Sequence, residues 1–425
     1  MNILLIRPKP HKETIGLHNI MICEPLELMT LKAVLTHNGH TVTILDMILE
    51  RKPLRHFINS LQPDLVGITG YISHVNVVKE YARIIKTINS RIKVLCGGVH
   101  ATVCPDDFSC ECIDQVCQNA AEFYIATGCK DIRYRFPDRN LPEKYRKKYY
   151  YLFHNNCALI KTANGCPYNY NFCFCKEVSS YSAQDVDIVL EELKEIKQEE
   201  IYIVDDNFLF DRNRLTWFCD GLEKLGIQKK YLVYGRADFI AQNEDIIKRL
   251  KKNGLRAVIV GIESVSQEEL DSYNKKTTLK DNIEAVQIMK KHGIEIYATV
   301  ILRETWERSD FNALYRFLKE LDVVFVNIQP FTPMPGTGYF DEYKSKLIIS
   351  REEYEKWDLA HLVIKPEKIS IRAYYANIIR LYFLLTLSLR SSLYMIRRYG
   401  LRDCVKLSFG AMRIANQYLA KIIKG

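Results

Sequence analysis

Strand-length runs of β-branched and leucine residues recur along this chain in two series, each run parted from the next by a stretch of helical period. In the first series the runs fall at 2–6, 41–45, 64–69 and 92–96, separated by helical stretches near 25–38, 53–61 and 74–89. Runs apolar on both faces belong in a parallel sheet covered by helices on either side. In the second series strands are expected at 158–162, 201–204, 231–234, 257–261, 296–302 and 323–328, with helices at 185–199, 212–225, 243–253, 267–272, 280–292 and 309–320. Six consecutive βα units predict an open or partial barrel. A chain of 425 residues exceeds one ordinary core. The α/β reading therefore places domains at 1–140, 150–345 and, helical and basic, 346–425.

Parallel sheets bind ligands outside the carboxyl ends of their strands. In the first series those ends hold Pro8, Thr69, Gly70 and the run Gly97, Gly98, Val99, His100. A glycine pair lets a bulky ligand approach the backbone, although a plain tight turn uses the same residues, and His100 reads equally as a satisfied surface histidine. In the second series the ends hold Asp205, Asp206 and Asn207, then Arg236 with Asp238, then Glu263 and Ser264. Carboxylates, an arginine and a serine on one face suit a zwitterionic ligand with a ribose. Asp206 and Ser264 taken singly read equally well as helix caps.

Between Gly165 and Lys176 lies Gly-Cys-Pro-Tyr-Asn-Tyr-Asn-Phe-Cys-Phe-Cys-Lys. Cys166, Cys173 and Cys175 in one short loop are candidate ligands of an iron–sulfur cluster, or else buried structural cysteines. The chain has thirteen cysteines and opens on a short apolar run ending in a charge, which reads as a first strand and not as a signal peptide. Reduced thiols in a cytoplasmic protein are therefore expected. Cys104, Cys110, Cys112 and Cys117 form no compact C-x2-C pair, which argues against zinc.

The order of these motifs resembles the cobalamin-binding radical S-adenosylmethionine proteins, the class that includes hopanoid methylases and the anaerobic protoporphyrin-ester cyclase. The resemblance runs through Glu24-Pro25-Leu26, Gly39-His40, Leu45-Asp46, Gly97 to Thr102, the cysteine loop, Asp205 to Phe208, Gly235 to Asp238, Gly261 to Ser264 and Thr332 to Thr337. It implies a Rossmann-like, flavodoxin-like cobalamin domain followed by a partial (β/α)6 TIM-type barrel holding an Fe4S4 cluster and S-adenosylmethionine. It also implies a 5′-deoxyadenosyl radical, methylation of an unactivated carbon in a small-molecule or lipid-like substrate, and an electron donor such as flavodoxin or ferredoxin.

The chain departs from that pattern in several places. The family's C-x3-C-x2-C loop has Tyr170 at its second cysteine position, so Cys175 is the spare thiolate. Tyr170 is kept as a candidate catalytic side chain, acting as a hydrogen donor or filling the space of the missing ligand. Without a third thiolate the chain reads instead as a cluster-deficient relative that binds cobalamin, S-adenosylmethionine or a partner. The Asp-x-His-x-x-Gly cobalamin motif is absent. Leu302 to Trp306 and Gln118 to Glu122 replace two turns that relatives build differently.

The net charge of +9 is local. Residues 380–425 hold nine Lys or Arg against the single Asp403. There Ile378, Ile379, Leu381, Phe383, Leu384, Leu387 and Leu389 mix with Arg380, Arg390, Arg397 and Arg398. No uncharged run there is long enough to span a bilayer. Two readings stand: a peripheral contact with anionic lipid, or a helical cap on the barrel with a solvated basic face. No nucleic-acid module accompanies the basic residues.

Overall fold

Strands β1 (Asn2–Arg7), β2 (Thr41–Asp46), β3 (Leu65–Thr69), β4 (Lys93–Gly97) and β5 (Gln115–Val116) pair in the order β2-β1-β3-β4-β5, all parallel. The computed structural model describes residues 1–16, 19–386 and 389–424. Ile3 to Ile6, Leu65, Val66, Ile68 and Val94 to Cys96 are buried on both faces, which is why these strands read as continuous apolar runs. Gly67 interrupts β3 because the Phe123 ring packs there: a Cβ would stand 2.7 Å from it.

After β1 the chain pairs β2 on one side and then crosses to pair β3 on the other. Sheets of this order open a crevice at the carboxyl ends of those two strands. A buried pair closes β1: Arg7 Nε donates to Asp46 Oδ1 at 3.0 Å, and Tyr149 Oη donates to Asp46 Oδ2 at 3.0 Å. These elements belong to one compact unit, Met1–Gly16 with Glu24–Tyr149 and Ser350–Asp358.

The second unit comprises Leu17–Cys23, Tyr150–Ile349 and Leu359–Gly425. Its sheet runs β6 (Ala158–Ile160), β7 (Glu200–Ile203), β8 (Lys230–Gly235), β9 (Leu255–Glu263), β10 (Glu295–Leu302) and β11 (Phe325–Pro330), each parallel to its neighbours in sequence. This is the six-stranded partial barrel expected from the alternation. At the amino ends of the strands, His154 Nδ1 lies 2.8 Å from Glu200 and its Nε2 lies 3.1 Å from Tyr297. Arg256 also pairs with Glu200, and Arg398 Nε reaches Glu295 at 3.2 Å. Charged and aromatic side chains thus close the floor of the barrel.

Helices Ile371–Thr386, Leu389–Tyr399 and Leu401–Lys424 complete this unit. The first packs through Tyr374, Tyr375, Ile378 and Leu381, and Tyr374 Oη donates to the carbonyls of Leu302 and Arg303. Leu387 lies outside the described residues. Among the described residues no helix is long and apolar enough to cross a membrane.

Candidate active site at the barrel mouth

The cysteine loop is clasped at its base. Ala163–Asn164 pairs antiparallel with Ser182–Ala183, so the loop leaves and returns through a two-stranded ribbon. Gly165 opens it at φ +64, and a Cβ there would stand 2.4 Å from the Ser179 carbonyl oxygen, so only glycine fits. Asp205, buried at the end of β7, accepts from Thr162 N at 2.6 Å, Thr162 Oγ1 at 2.5 Å and Ala163 N at 3.0 Å. Burial pushes its carboxyl above the ordinary range, and these donors oppose that shift. On the far side, Asn171 N donates to the Tyr273 carbonyl and Asn274 Nδ2 to that of Asn169.

Within this frame Cys175 neighbours Cys173, and Cys166 lies near enough to Cys173 to feel its charge. The Cys175 thiol donates to Asp206 Oδ1 at 3.5 Å, and the proximity of Cys173 and Cys175 lowers the Cys173 pKa and raises that of Cys175. Cys166 feels the charges of Cys173, Asp206 and Arg236, while burial raises its own pKa. Three sulfur donors in one short loop fit an iron–sulfur cluster.

Tyr170 is committed elsewhere. Its phenol oxygen accepts from the Arg236 guanidinium, and its ring stacks between Tyr168 (6.1 Å) and Phe172 (5.6 Å). Arg236 is buried, forks onto Asp238 at 2.8 and 2.6 Å, donates to the Lys275 carbonyl, and lies 3.9 Å from the Tyr168 ring centre. The residue at the second cysteine position is thus bound to the end of β8.

Asn207 is buried with neither amide atom partnered in the protein. An unsatisfied buried amide is costly, and a polar ligand at the mouth would satisfy it. Such a pairing fits S-adenosylmethionine, which offers both donors and acceptors. Glu263 has φ +60 and pairs with Lys275 Nζ at 3.0 Å; burial lowers the Lys275 pKa, and Glu263 opposes that. Lys275, which the motifs did not single out, sits between Asn274 (φ +54) and Lys276 (φ +55), two left-handed residues that turn it inward. Ser264 is fully buried and donates to Glu269, which also accepts from Trp306 Nε1 at 2.7 Å. Its hydroxyl is therefore used inside the protein, and Glu269 ties the Leu302 to Trp306 turn to the same contact through Trp306.

In the other unit Pro8, Thr69 and Gly70 stand at the crevice beside β1 and β3, in keeping with a planar cofactor laid across it. Gly98 has φ +109, and a Cβ would meet the Gly70 backbone at 2.8 Å. The turn itself thus requires this glycine. Val99 begins a short helix, and His100 Nε2 lies 2.8 Å from buried Asp107, which also accepts from Arg351 and Tyr354. Cys104 joins His100 and Asp107 within 4.8 Å, but the guanidinium against Asp107 occupies that cluster. The Gln118 to Glu122 turn closes on itself, with Asn119 accepting from Glu122 N and Glu122 from Gln118 N.

Residues 20–124 match the B12 binding domain family and residues 160–318 the radical SAM superfamily. Hopanoid C-3 methylase of Methylococcus capsulatus is 24% identical over 415 residues, covering 89% of this chain and 79% of that protein. Bacteriochlorophyllide d C-12(1)-methyltransferase of Chlorobaculum tepidum is 26% identical over 317 residues, covering 68% of this chain and 67% of that protein. Among solved structures, the radical S-adenosylmethionine methyltransferase TsrM from Kitasatospora setae, with cobalamin and a [4Fe-4S] cluster bound, shares the fold. Its TM-score is 0.65 at 16% identity, covering 99% of this chain and 100% of that one.

Proposed function

The chain belongs to the cobalamin-binding radical S-adenosylmethionine proteins, and from that premise we propose that it methylates an unactivated carbon of a small-molecule or lipid-like substrate. The observation that carries this reading is the gathering of Cys166, Cys173 and Cys175 beside Asp206 while Tyr170 is drawn away to Arg236. Cys175 then replaces the missing ligand. When bound, the cluster with S-adenosylmethionine supplies a hydrogen-abstracting radical and cobalamin supplies the methyl group.

The residues of the chain hold and orient these groups. The ribbon, Asp205 and the Ser272 to Asn274 loop fix the thiols, and Asn207 offers its free amide to the ligand that fills the mouth. Arg236, locked by Asp238, keeps Tyr168 and Tyr170 as an aromatic wall that excludes water from one side. A one-electron donor of the flavodoxin or ferredoxin kind completes the proposal.

The test is iron and sulfide content, with an electron paramagnetic resonance spectrum after dithionite reduction, on protein reconstituted without oxygen. Close to four irons per chain is expected, with a signal that S-adenosylmethionine alters and with slow release of 5′-deoxyadenosine. Cys175→Ala should lose the iron and Tyr170→Phe should keep it. Reproducible absence of iron in a folded wild type would refute the radical reading and favour a binding protein without radical chemistry.

A further inference from the structure

Helix Leu401–Lys424 is apolar on two faces. Its inner face packs within the barrel unit: Tyr418 is buried, Lys406 lies 3.3 Å from the Tyr150 ring centre, and a Cβ on Gly410 would stand 2.1 Å from the Asn19 carbonyl oxygen. The opposite face carries Leu401, Val405, Phe409, Met412, Leu419 and Ile423, all exposed; Phe409 is 62% and Ile423 78% accessible. Their spacing of four, four, three, seven and four residues draws one stripe along the helix. The preceding helix, Leu389–Tyr399, adds exposed Leu393, Tyr394 and Ile396.

Charge decides what covers this stripe. On a helical projection Arg402 and Arg413, both exposed, fall along one border of the stripe, and Arg397 is exposed on the preceding helix. The sole acid between 380 and 425, Asp403, accepts from Asn155 Nδ2 on the packed side. A second copy seated face to face would bring two cationic borders together with no acid between them. An anionic bilayer meets both demands, since the stripe enters the acyl boundary while the arginines meet lipid phosphates.

We propose that the outer face of Leu401–Lys424 lies on an anionic membrane surface, docking the barrel unit without spanning the bilayer. The proposal rests on this surface alone and does not depend on the chemistry at the barrel mouth.

The test is sedimentation of the full chain with vesicles of phosphatidylcholine alone or mixed with phosphatidylglycerol. Binding to the mixed vesicles is expected, weakening with salt. Phe409→Glu should lower partitioning at least about ten-fold. Arg397→Gln with Arg402→Gln should lower it about thirty-fold on anionic vesicles. All three positions are exposed, so circular dichroism should be unchanged. Absence of binding to anionic vesicles, or binding that both variants retain, overturns the proposal. So does a dimer that Phe409→Glu dissociates in a protein that ignores vesicles, because a second copy is then the occupant.

Discussion

Replacing Asp205 separates what a buried carboxylate contributes from what its removal costs. Its Oδ1 accepts two backbone N–H groups, from Thr162 and Ala163, and its Oδ2 accepts the Thr162 hydroxyl. Each buried donor left without an acceptor costs about 1–3 kcal/mol. Asp205→Ala is therefore expected to destabilise the barrel unit by about 3–5 kcal/mol, allowing for partial relaxation. Asp205→Asn should behave differently. Its single oxygen can still take both backbone donors, and the Thr162 hydroxyl can rotate to accept from the new amide, so the cost should stay below about 1 kcal/mol.

The pH dependence gives a second check. The native pKa of Asp205 lies above its ordinary value because burial disfavours the charge. The folded state therefore binds this proton more tightly than the unfolded state does. Stability from this group is greatest below the unfolded pKa and falls as pH rises through the native one. The Asn variant has no such slope and should gain on the wild type as pH climbs through the carboxylate range. Urea unfolding followed by circular dichroism over a pH series measures both effects. Equal losses for Ala and Asn at every pH would refute the reasoning, since the two retained acceptor contacts would then be worth nothing. Iron content should follow the same order, with Ala the poorest, because the loop that Asp205 anchors carries all three thiols.

Breaking the buried Lys275–Glu263 pair with Lys275→Met should cost about 3–5 kcal/mol by leaving an unpaired carboxylate, and adding Glu263→Gln should recover much of it in thermal melts. Gly98→Ala, forced to φ +109 against the Gly70 backbone, should destabilise the amino-terminal unit by at least about 2 kcal/mol and weaken cobalamin retention in a gel-filtration assay. Burial would raise Glu200, but the His154 hydrogen bond, with His154, Arg256 and Lys230, holds it below its usual value. Its contribution is present above the unfolded pKa and lost as pH falls through the native one. Glu200→Gln should accordingly flatten the acid limb of the stability profile.

Most of both sheets was legible because buried parallel strands write themselves as unbroken apolar runs, and the helices between them keep a clear period. The two-residue strands at Ala163–Asn164 and Ser182–Ala183 were not, since so short a ribbon has no period to read. Helix Ala237–Gln242 was also missed, because it starts directly from Arg236 and merges with the next helical stretch. At the barrel mouth the strand-end residues stood out by position. Lys275 did not: Lys275-Lys276 reads as a solvated turn, and the left-handed backbone on either side leaves no trace in the residue types. For Ser264 the letters supported ligand and cap equally, and only the contact with Glu269 shows how its hydroxyl is used.

Tyrosine and cysteine codons differ by a single base, so position 170 stands one nucleotide step from the standard loop. The obstacle to that step is structural. A cysteine there would strip Arg236 of its phenol contact and open a gap between Tyr168 and Phe172. The guanidinium thus acts as a latch on position 170: with cysteine there, Arg236 would be left to Asp238 and the Lys275 carbonyl alone.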